Sequence, residues 1–357
     1  MNDKKLYFGP LDTLRVYAFL IVYISHAYFS FFKVTDGRTK LLAHGEVGVH
    51  IFFALSAFLI TYLSLREYAK QNTFSIAHFF KKRILRIWPV YFIVLIAAYI
   101  WHLIAAPEQA IGCAPMFTYF LGNFCLLIGL PDSVGTPAII PMWSISIEQQ
   151  FYVVFPLLFC LGIWLAKRMQ KRFVKGISFA ALIILFIYTL IVRYANAGNW
   201  EYISYTTVTS LPGFIAGICL AYAMHANAKI IQHIRTYRNF YMFTALAAFF
   251  ATFYIKFLGS IGVALYILPA IYATLVYVIL GTNSNQADKK EENTNTLQYL
   301  GRISYGLYAY HMFAIVFMQH LDLSVGPLIE SLIALGMTVF LAHISYRYIE
   351  KWFLSFK

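Results

Sequence analysis

The chain is 357 residues long, 61% hydrophobic and only 12% charged, with a mean hydropathy of +0.67. A water-soluble domain is about half apolar and a quarter charged, so this composition excludes one and predicts an all-α, polytopic membrane protein. The net charge of +13 then belongs mainly to loops, and no loop carries the basic-aromatic pattern that nucleic-acid binding requires.

Eleven apolar stretches follow one another, near residues 11–32, 46–65, 84–105, 114–130, 143–166, 177–195, 204–226, 239–257, 260–281, 297–320 and 328–347. Each approaches the ~20 residues needed to cross hydrocarbon, except the short 114–130. The first is too long for a cleavable leader and contains His26, so it is expected to remain as a helix. Basic residues crowd the loops 66–83, 167–175 and 228–238, and Lys289 and Lys290 lie in 283–296, whereas 106–113, 196–203 and 321–327 hold no Lys or Arg. Basic loops stay cytoplasmic. They do so here if 114–130 is re-entrant or interfacial, leaving about ten spanning helices with both termini cytoplasmic. The segment 31–45, with Lys33, Arg38 and Lys40, is then the one basic loop left outside. A single membrane domain over 1–357 is expected, with 282–296 a flexible cytoplasmic loop. Cys113, Cys125, Cys160 and Cys219 show no metal or redox spacing and read as packing residues. No metal is expected.

Ionisable residues inside membrane helices are costly and generally face a bundle interior or a wet cavity. Arg15 and His26 are eleven positions apart, almost three whole turns, so they share a helix face about 16 Å apart along the axis. Counting about 1.5 Å per residue from each segment's end puts His26, Glu148 and His311 in one layer near the outer side. His50 falls just above it. A histidine with a carboxylate is a general-base pair, the carboxylate fixing the tautomer. At the opposite end, KKRILRIWP places Arg83 and Arg86 three apart on one face. With Arg15 they make a basic mouth suited to an anionic cofactor, and Asp12, three residues before Arg15, is its expected partner. Ordinary flanking charge explains Lys81 and Lys82 without further function.

These motifs, in this order, resemble acyltransferase family 3, the bacterial inner-membrane O-acyltransferases of surface glycans. LDTLRVYAFLIVYISH resembles the family's opening helix, with Arg15 and His26. GVHIFFALSAFLI resembles the second-helix signature, although His50 stands where another residue is more usual. KKRILRIWPVYF carries the Arg-x-x-Arg motif as Arg83 and Arg86. MWSISIEQQFYVVFPLL carries Trp143, Ser144, Glu148, Gln150, Phe151, Tyr152 and Pro156. LGRISYGLYAYHM carries Ser304, Tyr305, Tyr308 and His311. SYRYIEKWF resembles the closing helix, except that Lys351 and Trp352 replace a basic-Pro pair.

The resemblance implies transfer of an acyl group, most often acetyl from acetyl-CoA, to a sugar hydroxyl at the periplasmic face of a multi-pass protein of the bacterial inner membrane. Arg15, Arg83 and Arg86 would hold the phosphates of CoA, and its pantetheine arm spans roughly the Arg15–His26 rise. His26, Glu148 and His311 are the catalytic candidates: His26 as base on the acceptor, Glu148 orienting it, and an acyl-histidine relay as an alternative. Trp143, Ser144, Tyr308 and His50 are candidates for sugar stacking or oxyanion contact. The expected partners are membrane lipids and a lipid-linked or lipid-A-linked glycan, with lipopolysaccharide O-antigen the leading acceptor and peptidoglycan among the others. Many relatives carry an added periplasmic hydrolase-like domain that is not expected here. A transporter of acyl donor or glycan precursor, without covalent chemistry, competes with this reading.

Overall fold

The computed structural model describes residues 9–32, 44–105, 141–282 and 295–356. The expected re-entrant stretch 114–130, most of the 282–296 loop and the basic residues Lys33, Arg38 and Lys40 lie outside them. Within the described residues all regular structure is helical. Eight helical stretches are long and apolar enough to cross a membrane. In chain order the helices are α1 Gly9–Ala27, running into a wide π turn at Tyr28–Phe32, α2 Gly45–Gln71, α3 Ile76–Ala105, α4 Met142–Arg168, α5 Lys171–Ala195, the short α6 Trp200–Tyr205, and α7 Thr207–His225. There follow α8 Lys229–Thr236, α9 Arg238–Ile255, α10 Gly259–Leu265, α11 Ile267–Gly281, α12 Thr296–Arg302, α13 Ser304–Leu321, α14 Pro327–Ser345, a π turn at Tyr346–Glu350, and α15 Lys351–Leu354.

Ten of the eleven expected apolar stretches are therefore helical, and the eleventh is the undescribed one. Local chemistry sets several ends. Asn72 takes the left-handed conformation that closes α2, its N–H returning to the Tyr68 carbonyl. Pro327 starts α14, where its missing N–H costs nothing. Asn295 caps α12 by accepting from the Gln298 N–H. The 18-residue α9 and α13 fall outside the eight most apolar spans. In α13 the reason is visible, because it carries Tyr305, Tyr308, Tyr310 and His311 into the bundle.

α2 is the axis of the fold. Its Gly48 lies against α1, where a Cβ would sit 2.4 Å from the Ala18 carbonyl oxygen. Gly217 of α7 presses on its other flank, where a Cβ would sit 2.3 Å from the Ala54 carbonyl oxygen and 2.8 Å from the Phe58 nitrogen. Lipid tails give helices no hydrophobic reason to associate, so close backbone contact across small residues supplies the packing energy. One apolar core joins α1, α2, α3, α4, α13 and α14. A second joins α1, α2, α7, α8 and α11. Outward-facing side chains such as Ile184, Phe243 and Leu332 are apolar and exposed, as a lipid-facing surface demands.

Gly217→Val should lower the thermal midpoint of the detergent-solubilised protein, by about 1–3 kcal/mol or more of overpacking. Gly336→Ala, where a Cβ meets nothing within 4 Å, should leave it unchanged or raise it slightly. Melting curves read by size-exclusion fluorescence compare the two.

Candidate active site

Five helices converge on a cavity of about 760 Å3, part of it open to solvent. α2 turns Val49, Phe52, Phe53, Ser56, Leu59 and Ile60 toward it, at the three- and four-residue spacing that puts side chains on one helix face. α1 contributes Arg15, α3 Arg83 and Arg86, α4 Ser144, Glu148 and Tyr152, and α13 Ser304, Tyr305 and Tyr308. The three expected guanidinium groups thus share one cavity with a single lining carboxylate.

The expected Arg15–Asp12 pair is present, with Nη1 2.7 Å from Oδ1. The Arg83 guanidinium lies over two rings, its Cζ 5.6 Å from the Phe79 centroid and 5.7 Å from that of Tyr152. The Arg83 Nε is buried with no hydrogen-bond partner among the described residues. A buried donor on a permanent cation is costly to leave idle, so this cavity suits an anionic group that would complete it.

Two hydroxyls line the same cavity on the α4 and α13 side. Ser144 Oγ lies 2.7 Å from the Tyr308 hydroxyl, and each is within 3.1 Å of the Pro141 carbonyl oxygen. One turn further along α13, His311 Nδ1 lies 2.6 Å from the Tyr308 carbonyl oxygen. Its Nε2 lies 2.8 Å from His26 Nδ1, and the two rings stack 5.1 Å apart at 13°. Phe19 meets His311 edge-on. His26 and His311 are therefore brought together, as equal depth predicts.

Glu148 is not brought to them. It faces the arginine cavity, and the partner of His26 is His311. The expectation failed because it started α4 at the outer surface. The helix instead begins within the bundle, where Met142 and Trp143 are buried, with Ser144 level with Tyr308. Glu148 is one more turn, about 6 Å, further in. Trp143 does not line the cavity either. It packs against Phe53 and Tyr205.

His50 also departs from its expected place. On α2 it points away from the cavity face, toward Glu46 one turn before it, with Nε2 3.3 Å from Oε1. Glu46 is the hub of a second polar cluster. It accepts from Arg193 Nη1 at 3.2 Å, Ser204 Oγ at 3.5 Å and the Tyr266 hydroxyl. Arg193 is fully buried and also donates to the Thr209 and Val263 carbonyls. Sequence reasoning missed Glu46 and Arg193, although both are ionisable residues at the ends of apolar segments, the signal that singled out Arg15. It quoted Tyr152 and Tyr305 only as motif members; both line the cavity, Tyr305 holding α13 to α3 through the Ile87 carbonyl at 2.8 Å.

Comparison with known proteins places the chain in a family. A family model described as an acyltransferase domain matches residues 9–347. Over 96% of its length the chain is 26% identical to the O-acetyltransferase OatA of Staphylococcus aureus, covering 57% of that protein. It is 26% identical to the putative peptidoglycan O-acetyltransferase YrhL of Bacillus subtilis, over 97% of this chain and 54% of that one. It is 23% identical to the peptidoglycan O-acetyltransferase OatA of Listeria monocytogenes, over 97% and 56%. The chain thus spans a little over half the length of the curated relatives it matches. No solved structure is significantly similar.

Arg193→Met should strongly lower the thermal midpoint, since removing one partner of a buried pair costs about 3–5 kcal/mol. The double variant with Glu46→Gln should recover much of that loss. Scanning fluorimetry of both in detergent checks the pair.

Proposed function

This chain belongs to the acyltransferase family whose domain covers residues 9–347, and from that premise we propose that it is a membrane O-acetyltransferase, moving acetyl from cytoplasmic acetyl-CoA to a sugar hydroxyl of an envelope glycan. The observation that carries this reading is the neighbourhood of two features. An arginine-lined cavity has Tyr308 in its wall, and the Tyr308 carbonyl accepts from His311, which is paired with His26; neither histidine lines the cavity itself.

In this reading Arg15, Arg83 and Arg86 hold the phosphates of CoA by charge-assisted hydrogen bonds. The pantetheine arm lies along the Val49–Ile60 face of α2, and the thioester reaches the Ser144–Tyr308 hydroxyls. His26 takes the proton of the acceptor hydroxyl as its oxygen bonds to the thioester carbon. The C–S bond breaks, and the departing thiolate recovers the proton from His26, giving CoA-SH and the sugar ester. The hydroxyl pair is placed to donate to the carbonyl oxygen once it turns from the Pro141 carbonyl. Glu148 balances the arginine cluster and is no longer assigned to orient His26. Trp143 acts through packing and His50 through its hydrogen bond to Glu46.

The bilayer arrangement follows the charge pattern. Ten crossings, made by the eight most apolar spans with α9 and α13, place both termini in the cytoplasm of a bacterial inner membrane. For the acceptor, the names of the Bacillus and Listeria relatives favour a peptidoglycan-type glycan over the lipopolysaccharide O-antigen suggested by resemblance alone.

Proteoliposomes with radiolabelled acetyl-CoA and glycan acceptors should place label on glycan; label crossing the bilayer unchanged would instead indicate transport. His26→Ala should lower turnover by about 10²–10⁴-fold. Arg83→Ala with Arg86→Ala should raise the acetyl-CoA KM by at least about tenfold, each charged contact being worth about 1.5–3 kcal/mol. In a cysteine-free background, Gln170→Cys should react with an impermeant maleimide from the cytoplasmic side only. Ser324→Cys should react from the outer side only, and the reverse pattern would invert the topology.

A further inference from the structure

We propose that His311 is the positioning residue of this transfer: clamped by the Tyr308 carbonyl, it fixes His26 as the tautomer whose Nε2 is bare and available to the acceptor hydroxyl. The inference rests on the acyl-transfer reading for its role, but its geometry stands apart from it.

The argument is a proton count along three atoms. A backbone carbonyl oxygen has no proton, so the 2.6 Å contact with His311 Nδ1 requires the proton on that nitrogen. In a neutral imidazole the other nitrogen is then an acceptor. His311 Nε2 faces His26 Nδ1 at 2.8 Å, so His26 donates, and its own proton lies on Nδ1. That leaves His26 Nε2 with a free lone pair. Among the described residues it makes no further hydrogen bond to protein, and its ring is half-buried.

The groups around the pair leave this orientation uncontested. Phe19 packs edge-on against His311, the Tyr308 ring lies 5.4 Å away, and the Tyr308 hydroxyl is engaged with Ser144 and Pro141. Among the described residues neither imidazole is hydrogen-bonded to a carboxylate. The oriented base is thus a carbonyl–histidine–histidine chain, in which a neutral imidazole stands where a carboxylate commonly orients a catalytic histidine. When Nε2 takes the acceptor's proton, His26 Nδ1–H continues to donate to His311 Nε2, so the imidazolium forms with its partner already in place. The same proton leaves Nε2 with the thiolate, and the chain returns to its starting state.

Nitrogen-15 NMR of the full chain in nanodiscs, labelled at histidine, reads the tautomer directly, with His26 assigned by loss of its signals in His26→Gln. The expected spectrum has Nδ1 protonated and Nε2 bare. His311→Ala should mix the tautomers and lower kcat by about 100-fold or more, while the acetyl-CoA KM stays within about twofold because the arginine clamp is untouched. His311→Gln places an amide oxygen near the Nε2 position, so it should restore the tautomer and bring kcat to within about tenfold of wild type. A His26 protonated at Nε2, a His311→Ala enzyme of unaltered kcat, or a folded His311→Gln as slow as the alanine variant would each overturn the proposal. An inactive wild type that still shows Nδ1-protonated His26 would support the clamp and count against acyl transfer instead.

Discussion

Arg15, Arg83 and Arg86 share an interior cavity with one lining carboxylate, and that excess of buried positive charge governs the rest of the bundle. Guanidinium does not shed its proton under biological conditions, so the charge cannot be removed by titration, and an uncompensated buried ion costs several kcal/mol. The fold answers in part. Asp12 takes Arg15 at 2.7 Å, Glu148 enters the cavity from α4, and the rings of Phe79 and Tyr152 flank Arg83. What is left over is an excess of positive charge, which the proposed phosphate-bearing donor would meet. Helices α1, α3 and α4 must converge to create it. The small-residue contacts at Gly48 and Gly217 hold α1 and α7 against α2 while its aromatic face stays turned to the cavity.

Tyr308 then connects binding to chemistry. Its hydroxyl joins Ser144 and Pro141 at the cavity wall, and its carbonyl fixes His311. Both contacts belong to one residue on one helix, so the cavity wall and the histidine pair cannot move independently by more than a side-chain rotation. A backbone carbonyl is also an orienter that neither titrates nor changes rotamer. An α-helix frees such an oxygen only by sharing it, and the three-residue step from Tyr308 to His311 is the local reach that permits this.

Much of this was legible in the sequence because membrane burial makes ionisable residues conspicuous. Arg15, His26 and His311 stood out as ionisable residues inside apolar stretches, Arg83 and Arg86 stood out by their three-residue spacing at the end of one, and depth put His26 and His311 in one layer, although the expected partner of His26 was Glu148. The length of the apolar runs gave the spans. What failed was depth and azimuth. Glu148 was misplaced because nothing in the residues before Trp143 reveals that α4 begins inside the bundle, and a start shifted by a few residues moves a side chain by about 1.5 Å for each. His50 was misassigned because one residue rotates a side chain by about 100° around a helix, enough to carry it from the cavity face of Val49 to the opposite flank of α2. The aromatic Trp143 was ambiguous from the outset in a chain with 18% aromatic residues, where packing is the commoner fate.

The two polar clusters show why ionisable residues in a membrane protein need their hydrogen bonds examined before a role is assigned. Glu46 receives donors from Arg193, His50, Ser204 and Tyr266, and Arg193 spends its remaining N–H groups largely on carbonyls. That cluster joins α2, α5, α6 and the α10–α11 region, and it borders no part of the arginine cavity. Its charges are paired, Glu46 with Arg193, so it serves as an internal tie, although Arg193 Nε and His50 Nδ1 find no hydrogen-bond partner among the described residues. The arginine cavity has the same kinds of residue but an opposite balance, with three cations, one lining anion and an idle donor on Arg83. Unbalanced charge beside open volume distinguishes a cavity suited to an anionic ligand from a network of paired charges. By that criterion the proposed chemistry falls on the face of α2 that carries Phe52 and Phe53, and the opposite face, with Glu46 and His50, ties helices together around it.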